Sequence, residues 1–432
     1  MSQRTVLLIA FHFPPFRGSS GMQRTLRFAQ HLPKFGWRPI VLTAAPRAYD
    51  SRADVLGNEI PQGLEVHRAF ALDTARQLSL LGRYPGFLTV PDRWMTWRLH
   101  AVPMALRLIR ERGVDAILST FPIATAHSIG LAVARRSGLP WVAEFRDPMW
   151  QGDYPPEPRM NKAWKLLEGQ IFSRTNRVVV TTPGAKREYE DRFPEFRRPR
   201  IIVIENGYDE ESFQRADTLR HATAASSNDR DHRITLVHSG AIYKHERDPS
   251  KFFAAIASMK TKGLISARTR RIILRASGNE AAFRTDVACL GIQDIVHLEP
   301  TIGYTEALQE MLSADGLLIL QGSSCNAQVP AKLYEYLRAN KPIAALTDPF
   351  GDTATTLRHA GTGLVAPLDS ADEIERVILR LLDAIRMEDW PRLSPDVVAK
   401  YSRASQAAHL GRLLDEVLGD TSHAIARQAR AD

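Results

Sequence analysis

The sequence predicts an α/β protein of two domains, each a parallel sheet covered by helices on both faces. Three observations carry that prediction. The chain has 432 residues, more than one hydrophobic core usually supports, so two domains of about 200 residues each are expected. Short runs rich in Val, Ile and Leu alternate with helical patterns along the length, as buried parallel strands joined by crossover helices do. The alternation breaks once, at the polar stretch Arg220–Asp231, and then restarts.

Taken in order, Val6–Ala10 reads as a buried strand. A loop rich in Pro and Gly follows, then a helix from about Met22 to Phe35 stopped by Gly36. Strands recur at Pro39–Leu42, Asp115–Ser119, Trp141–Glu144, Arg177–Thr181 and Ile201–Ile204, with helices at Trp97–Arg112 and Asn161–Arg174. Asn206-Gly207 is a turn signal. Beyond the polar stretch, strands are expected at Ile234–Val237, Ile272–Ala276, Ile295–Leu298, Gly316–Leu320, Ile343–Leu346 and Gly363–Val365. Helices are expected at Pro249–Thr261, Tyr304–Ser313, Pro330–Ala339 and Ala371–Met387, and a last one, Ser405–Leu418, is expected to pack back on the first domain. The expected division is a first Rossmann-like domain over 1–215, a linker over 216–232, a second Rossmann-like domain over 233–390, and a returning helix with a polar tail over 391–432. Ligands of such sheets bind beyond the carboxyl ends of the strands, so the two domains are expected to face each other across a cleft lined by those loops.

Composition narrows the class. Two cysteines, Cys289 and Cys325, argue against a disulfide framework and for a reducing compartment. The apolar run near the N-terminus leads into Pro14-Pro15 rather than a small-residue cleavage site, so it reads as a strand and not a signal peptide. No uninterrupted apolar stretch reaches the ~18 residues that span a bilayer. These readings place the protein in the cytoplasm, or peripherally at the inner face of the membrane. The net charge of +9 is dispersed, with no zinc-finger spacing, aromatic RNA-binding motif or basic tract, so nucleic acid is not an expected partner.

The most informative stretch is QVPAKLYEYLRANKP at 328–342. Helical spacing puts Lys332 and Glu335 three residues apart on one face, with Val329, Leu333, Tyr336 and Leu337 on the opposite stripe. Pro330 suits a first helical position, and Asn340 suits a left-handed C-terminal cap before Lys341-Pro342. A sugar nucleotide offers a diphosphate to the cation and a ribose diol to the carboxylate.

Six segments, in this order and spacing, resemble the family-4 retaining glycosyltransferases of GT-B fold: FHFPPFRGSSGMQRTLRFAQHLPKFGW at 11–37, EFRDPMW at 144–150, IENGYD at 204–209, HSGAIYKHERDP at 238–249, MLSADGLLIL at 311–320 and PAKLYEYLRANKPI at 330–343. The resemblance implies two Rossmann-like domains facing across a cleft, a nucleotide-sugar donor held by the second domain, and a glycan or polyprenyl-linked acceptor at the first. It implies that a basic pair grips the donor pyrophosphate. Arg247 and Lys332 match that pair, with Lys244 a rival of Arg247, and Ser239 and Gly240 permit close backbone approach. Glu335 matches the second acidic residue of the family's two-glutamate motif, the one that holds the ribose hydroxyls. The first glutamate should lie eight residues earlier, where this chain has Ala327. Asn326 or Gln328 are the neutral substitutes at hand, and several lineages with the same P-x-K-x-x-E-Y pattern also lack that glutamate.

In the first domain, Pro14, Pro15, Gly18 and Gly21 shape the loop after the first strand, without the G-x-G-x-x-G dinucleotide fingerprint. The resemblance puts His12, Gly18, Gly21 and Arg146 on the acceptor side and Asp147, with Arg247 and Lys332, among the catalytic positions. Arg146 beside Asp147 reads equally well as a structural pair, and His127 reads as a packed histidine. Aromatic and basic residues over Gly82–Trp97, with Tyr84, Phe87, Trp94 and Trp97 among Arg83 and Arg93, suit either peripheral membrane contact or a partly buried loop. Asp229-Arg230-Asp231 mimics a metal-binding D-x-D but precedes a strand, and the GT-B mechanism needs no cation or cofactor. The competing readings are a sugar-nucleotide epimerase or hydrolase of the same layout, and a degenerate transferase that binds without turnover.

Overall fold

The structure is a computed structural model and describes residues 3–16, 20–52, 59–80, 83–84, 86–152, 154–196, 201–224, 233–244 and 246–428. Gly18 and the Asp229–Asp231 tripeptide lie outside the described residues, as does most of the polar stretch. The chain divides into two compact units, one formed by 1–206 with 403–432 and the other by 207–402.

The first unit holds seven parallel strands: β1 (Arg4–Ile9), β2 (Trp37–Ala44), β3 (Glu65–Ala69), β4 (Ala116–Thr120), β5 (Trp141–Arg146), β6 (Arg177–Val180) and β7 (Ile201–Val203). They are ordered β3-β2-β1-β4-β5-β6-β7, so the order reverses between β1 and β4. Residues Val6–Ile9, Ile40–Leu42 and Trp141–Ala143 are buried, which explains their unbroken apolar runs. β3 escapes the sequence reading because EVHRA is an edge strand, four of its five residues only half-buried, and lacks an apolar run.

The helix expected to Phe35 is α-helical only over Ser20–His31 and continues as a 3-10 turn, Leu32–Phe35. Pro33 supplies no amide hydrogen for the regular ladder, and Gly36, at φ 81°, ends the element in the left-handed region. The helix Arg403–Gln428 packs Ala407, Leu410, Leu413, Leu414 and Val417 into the first unit's core. Trp37 Nε1 donates to Asp415 across that contact at 3.0 Å.

The second unit holds β8 (Ile234–Ser239), β9 (Arg270–Arg275), β10 (Val296–Glu299), β11 (Gly316–Leu320), β12 (Ile343–Leu346) and β13 (Leu364–Ala366), ordered β10-β9-β8-β11-β12-β13 and all parallel. Here the reversal falls between β8 and β11, paired Gly316 to Leu236 and Leu317 to Val237. Helix Glu210–Ala224 covers residues 216–224 that composition suggests as linker, and its Phe213 and Ala216 are buried in the second unit's core. Helices Glu280–Cys289 and Asp352–Ala360 also escape the sequence reading, being short and, in the second case, rich in Thr. Among the described residues no helix is long and apolar enough to cross a membrane.

Candidate functional site

In the second unit the carboxyl ends of β8 and β11 are where a ligand is expected to sit, because flanking helices leave on opposite sides there. The helix after β11 begins at Lys332 rather than at Pro330, since Leu333 and Tyr334 reach back three residues, to Pro330 and Ala331, in a tightened first turn. It ends at Asn340, in the left-handed conformation at φ 53°. Leu333, Tyr334, Tyr336 and Leu337 are buried, which anchors the helix and turns Lys332 and Glu335 outward from the core.

Lys332 does not reach open solvent. Its Nζ stands 3.0 Å from His238 Nε2, and His238 Nδ1 lies 3.0 Å from the Leu318 carbonyl oxygen. A carbonyl only accepts, so Nδ1 carries the ring proton and Nε2 accepts from the lysine. Burial, and next the lysine's charge, keep His238 far below the usual imidazole range and neutral. Lys332 itself is lowered to about 7, chiefly by burial and then by the guanidinium of Arg247, while Glu335 pulls the other way. Gly240 lies beneath this amine. Its φ is 105°, a conformation that favours glycine, and a Cβ there would be 3.3 Å from Lys332 Nζ, so a side chain would push the amine aside by a few tenths of an ångström. Ser239, half-buried, donates its amide to Tyr336 Oη at 3.0 Å, which joins the end of β8 to the helix.

Arg247 holds the loop after β8 by donating to the Ala241 carbonyl at 2.9 Å, leaving its buried Nε without a partner. Lys244 is exposed and makes no hydrogen bond or ion pair among the described residues. Glu335 accepts from the Tyr304 hydroxyl at 2.8 Å. Asn326, next to the vacated Ala327 position, donates from Nδ2 to Asp348 at 2.6 Å, and that bond, after the Phe350 amide, holds the aspartate carboxyl low. The loops after β8, β11, β12 and β13 surround a cavity of about 710 Å³ lined by Glu246, Gly322, Ser323, Asp348, Phe350 and Asp369.

The first unit builds a second cluster at its own reversal, between β1 and β4. His12, Gly21, Thr120 and Arg146 line one small hollow. Arg146 ends β5 in the left-handed region, φ 62°, at a register shift of the strand, where its carbonyl oxygen accepts from Thr181 Oγ1 at 2.9 Å. Its guanidinium lies against Gly21, where a Cβ would fall 1.4 Å from Nη1. His12 stacks on Phe16 with ring centroids 4.1 Å apart. Burial and then Arg146 lower it to about 3, so it is neutral. Asp147 is exposed beside Arg146. Arg24 pairs with Glu144 at 2.8 Å, both side chains at most 2% exposed, and also donates to the Ile204 and Glu205 carbonyls.

Comparison with known proteins bears on the first unit's family and on the fold. Residues 20–212 match the family profile described as Glycosyltransferase Family 4. The chain carries a family-4 glycosyltransferase domain. No curated protein matches it by sequence. Among solved structures, sucrose-phosphate synthase from Thermosynechococcus elongatus is similar with TM-score 0.61 at 13% identity, over 99% of this chain and 100% of that one. A glycosyltransferase from Rickettsia africae gives TM-score 0.60 at 13% identity over 98% of each chain. HepE of Anabaena, in complex with UDP, gives TM-score 0.58 at 13% identity over 98% of this chain and 100% of that one. At such identities the likeness establishes the fold, which is GT-B.

The sequence-derived positions fall into two groups. Ser239, Gly240, Arg247 and Lys332 converge at the β8–β11 reversal, with Glu335 one helical turn further; His12, Gly21 and Arg146 converge at the β1–β4 reversal. Lys244 joins neither. Sequence reasoning gave no role to His238, Tyr336, Tyr304 or Asp348. His238 stands in the quoted HSG motif, but its partner lies 94 residues on, and no local spacing signals that contact.

Proposed function

We propose that this glycosyltransferase moves a hexosyl group from a uridine diphosphate sugar to a glycan or polyprenyl-linked acceptor, with retention of configuration and without a metal, in the synthesis of a surface polysaccharide. The observation that carries the reading is the amine of Lys332 above Gly240 at the β8–β11 reversal, with Arg247 near and Glu335 a turn away. A diphosphate laid on Gly240 meets two cations, and a ribose diol meets a carboxylate that accepts hydrogen bonds. Two positively charged side chains supply the charge neutralisation that a metal gives elsewhere. The uridine base is taken from the likeness to the UDP-bound protein.

In the reaction, the bond from the sugar's anomeric carbon to the diphosphate oxygen breaks, with the electron pair leaving on the diphosphate beside Lys332 and Arg247. The acceptor hydroxyl oxygen bonds to the same face of that carbon, and its proton passes to the departing phosphate oxygen. Arg146, with His12, Gly18 and Gly21, is assigned to the acceptor, and Asp147 to orienting its hydroxyl. Ser239 and Asn326 complete the donor contacts, Asn326 with Asp348 facing the sugar where Ala327 replaces the family glutamate. The enzyme works in the cytoplasm, peripheral to the inner membrane face, where a polyprenyl-linked acceptor is presented.

The test is a calorimetric screen of uridine and guanosine diphosphate sugars on the native enzyme and on Glu335→Ala. The change is expected to weaken donor binding at least tenfold, the cost of a carboxylate's hydrogen bonds to a diol, with the thermal melt unchanged. Unchanged affinity removes Glu335 from the site. Donor hydrolysis or epimerisation with no acceptor present replaces transfer by the hydrolase or epimerase reading, and tight binding without turnover by the degenerate one.

A further inference from the structure

Two hydrogen bonds in series, from the strand β11 through an imidazole to the lysine, suggest a relay of orientation rather than a simple packing contact. The Leu318 carbonyl belongs to β11, the imidazole to the end of β8, and the amine to the helix that follows β11. The ring is fully buried, and the tautomer protonated at Nδ1 satisfies the Leu318 carbonyl while leaving Nε2 to accept from the lysine. Its Nε2 therefore presents a lone pair in a fixed direction. An ammonium has three hydrogens, so one bond to His238 leaves two to point elsewhere. Gly240 is half-buried, and its missing side chain leaves space 3.3 Å from Nζ.

We propose that His238 is the positioning residue for Lys332: its ring, locked by the Leu318 carbonyl, fixes the amine over Gly240 so that its two remaining hydrogens meet a nucleoside diphosphate. This rests on the assignment of Lys332 to the donor diphosphate. The charged and titratable groups facing the amine are His238 from β8, Arg247 from the loop after β8 and Glu335 from its own helix. Lys332 is lowered to about 7 by burial and Arg247, so an added hydrogen-bond acceptor bears on how much of it is charged near neutrality. An acceptor lone pair favours the ammonium, and a purely apolar neighbour would disfavour it.

The experiment titrates UDP and uridine into the native enzyme by calorimetry between about pH 6 and 9, bracketing the lysine's titration. UDP affinity is expected to fall as pH rises through about 7, while uridine affinity stays level. In His238→Leu, UDP binding should weaken about tenfold at neutral pH, the worth of one charge-assisted hydrogen bond, with the inflection moved to lower pH. His238→Gln, whose amide oxygen accepts from the lysine, should restore both. His238→Asn reaches toward Leu318 but not toward Lys332, and should resemble His238→Leu; it serves where the leucine variant does not fold. An unchanged ratio of UDP to uridine affinity in both variants overturns the proposal, as does weakening of the two ligands together. Lys332→Ala separates the two readings. If it abolishes the preference for UDP while His238→Asn and His238→Leu keep it, positioning fails and the donor assignment stands; if it too keeps the preference, both fall.

Discussion

Each unit places one cation on one glycine at the point where its strand order reverses, yet the two pairs differ in kind. In the first unit Arg146 is pressed on Gly21 from a left-handed backbone, and beside it stands His12, a histidine that stays neutral. In the second, Lys332 stands over Gly240, bonded to a neutral histidine, and is lowered to about 7 by burial and Arg247. A guanidinium keeps its charge at any physiological pH, whereas an ammonium that is desolvated and crowded by Arg247 does not. The difference teaches that pH sensitivity should belong to the Lys332 cluster, proposed for the donor, and not to the Arg146 cluster, proposed for the acceptor.

Gly21→Ala breaks the first pair most severely. A methyl group 1.4 Å from Arg146 Nη1 forces the guanidinium away, and a displacement of about 1 Å near reacting groups costs on the order of 100-fold in rate. Steady-state kinetics with donor saturating should show that loss, with UDP affinity unchanged; lost UDP affinity would put Gly21 on the donor side. Gly240→Ala should be next, since φ 105° strains any side chain by about 1–3 kcal/mol and the methyl meets the lysine amine. Weakening of UDP by about tenfold, with uridine spared, is the expected calorimetric result. The smallest effect is expected of Tyr304→Phe, which removes the hydroxyl bonded to Glu335 at 2.8 Å. One hydrogen bond to a charged group on an exposed face supports a change of about two- to fivefold in donor affinity, and none would show that Glu335 needs no such support.

How much of this could be read from residues alone divides along the same line. The strands were legible wherever both faces are covered, as at Val6–Ile9 and Gly316–Leu320, and illegible at the half-covered edge strand Glu65–Ala69. The helix carrying Lys332 and Glu335 was legible because its apolar stripe, and Asn340 as its cap, are local signals. What escaped are contacts made by tertiary register: His238 on Lys332, Arg146 on Gly21, and Arg24 on Glu144, 120 residues apart. Residue types hint at each, but which atoms meet is decided only when strands pair. Lys332 and Glu335 read from spacing as a couple, yet each takes a bond from another element, His238 from β8 and Tyr304 from the start of the helix after β10.

The helix Arg403–Gln428 belongs to the first unit's core although the whole second unit is inserted before it. During synthesis residues 207–402 therefore emerge as one contiguous piece that can finish folding on the ribosome. The earlier-made half must wait, its surface for Leu410 and Leu414 uncovered, until the ribosome delivers that late segment. The order of maturation is thereby inverted relative to the order of translation.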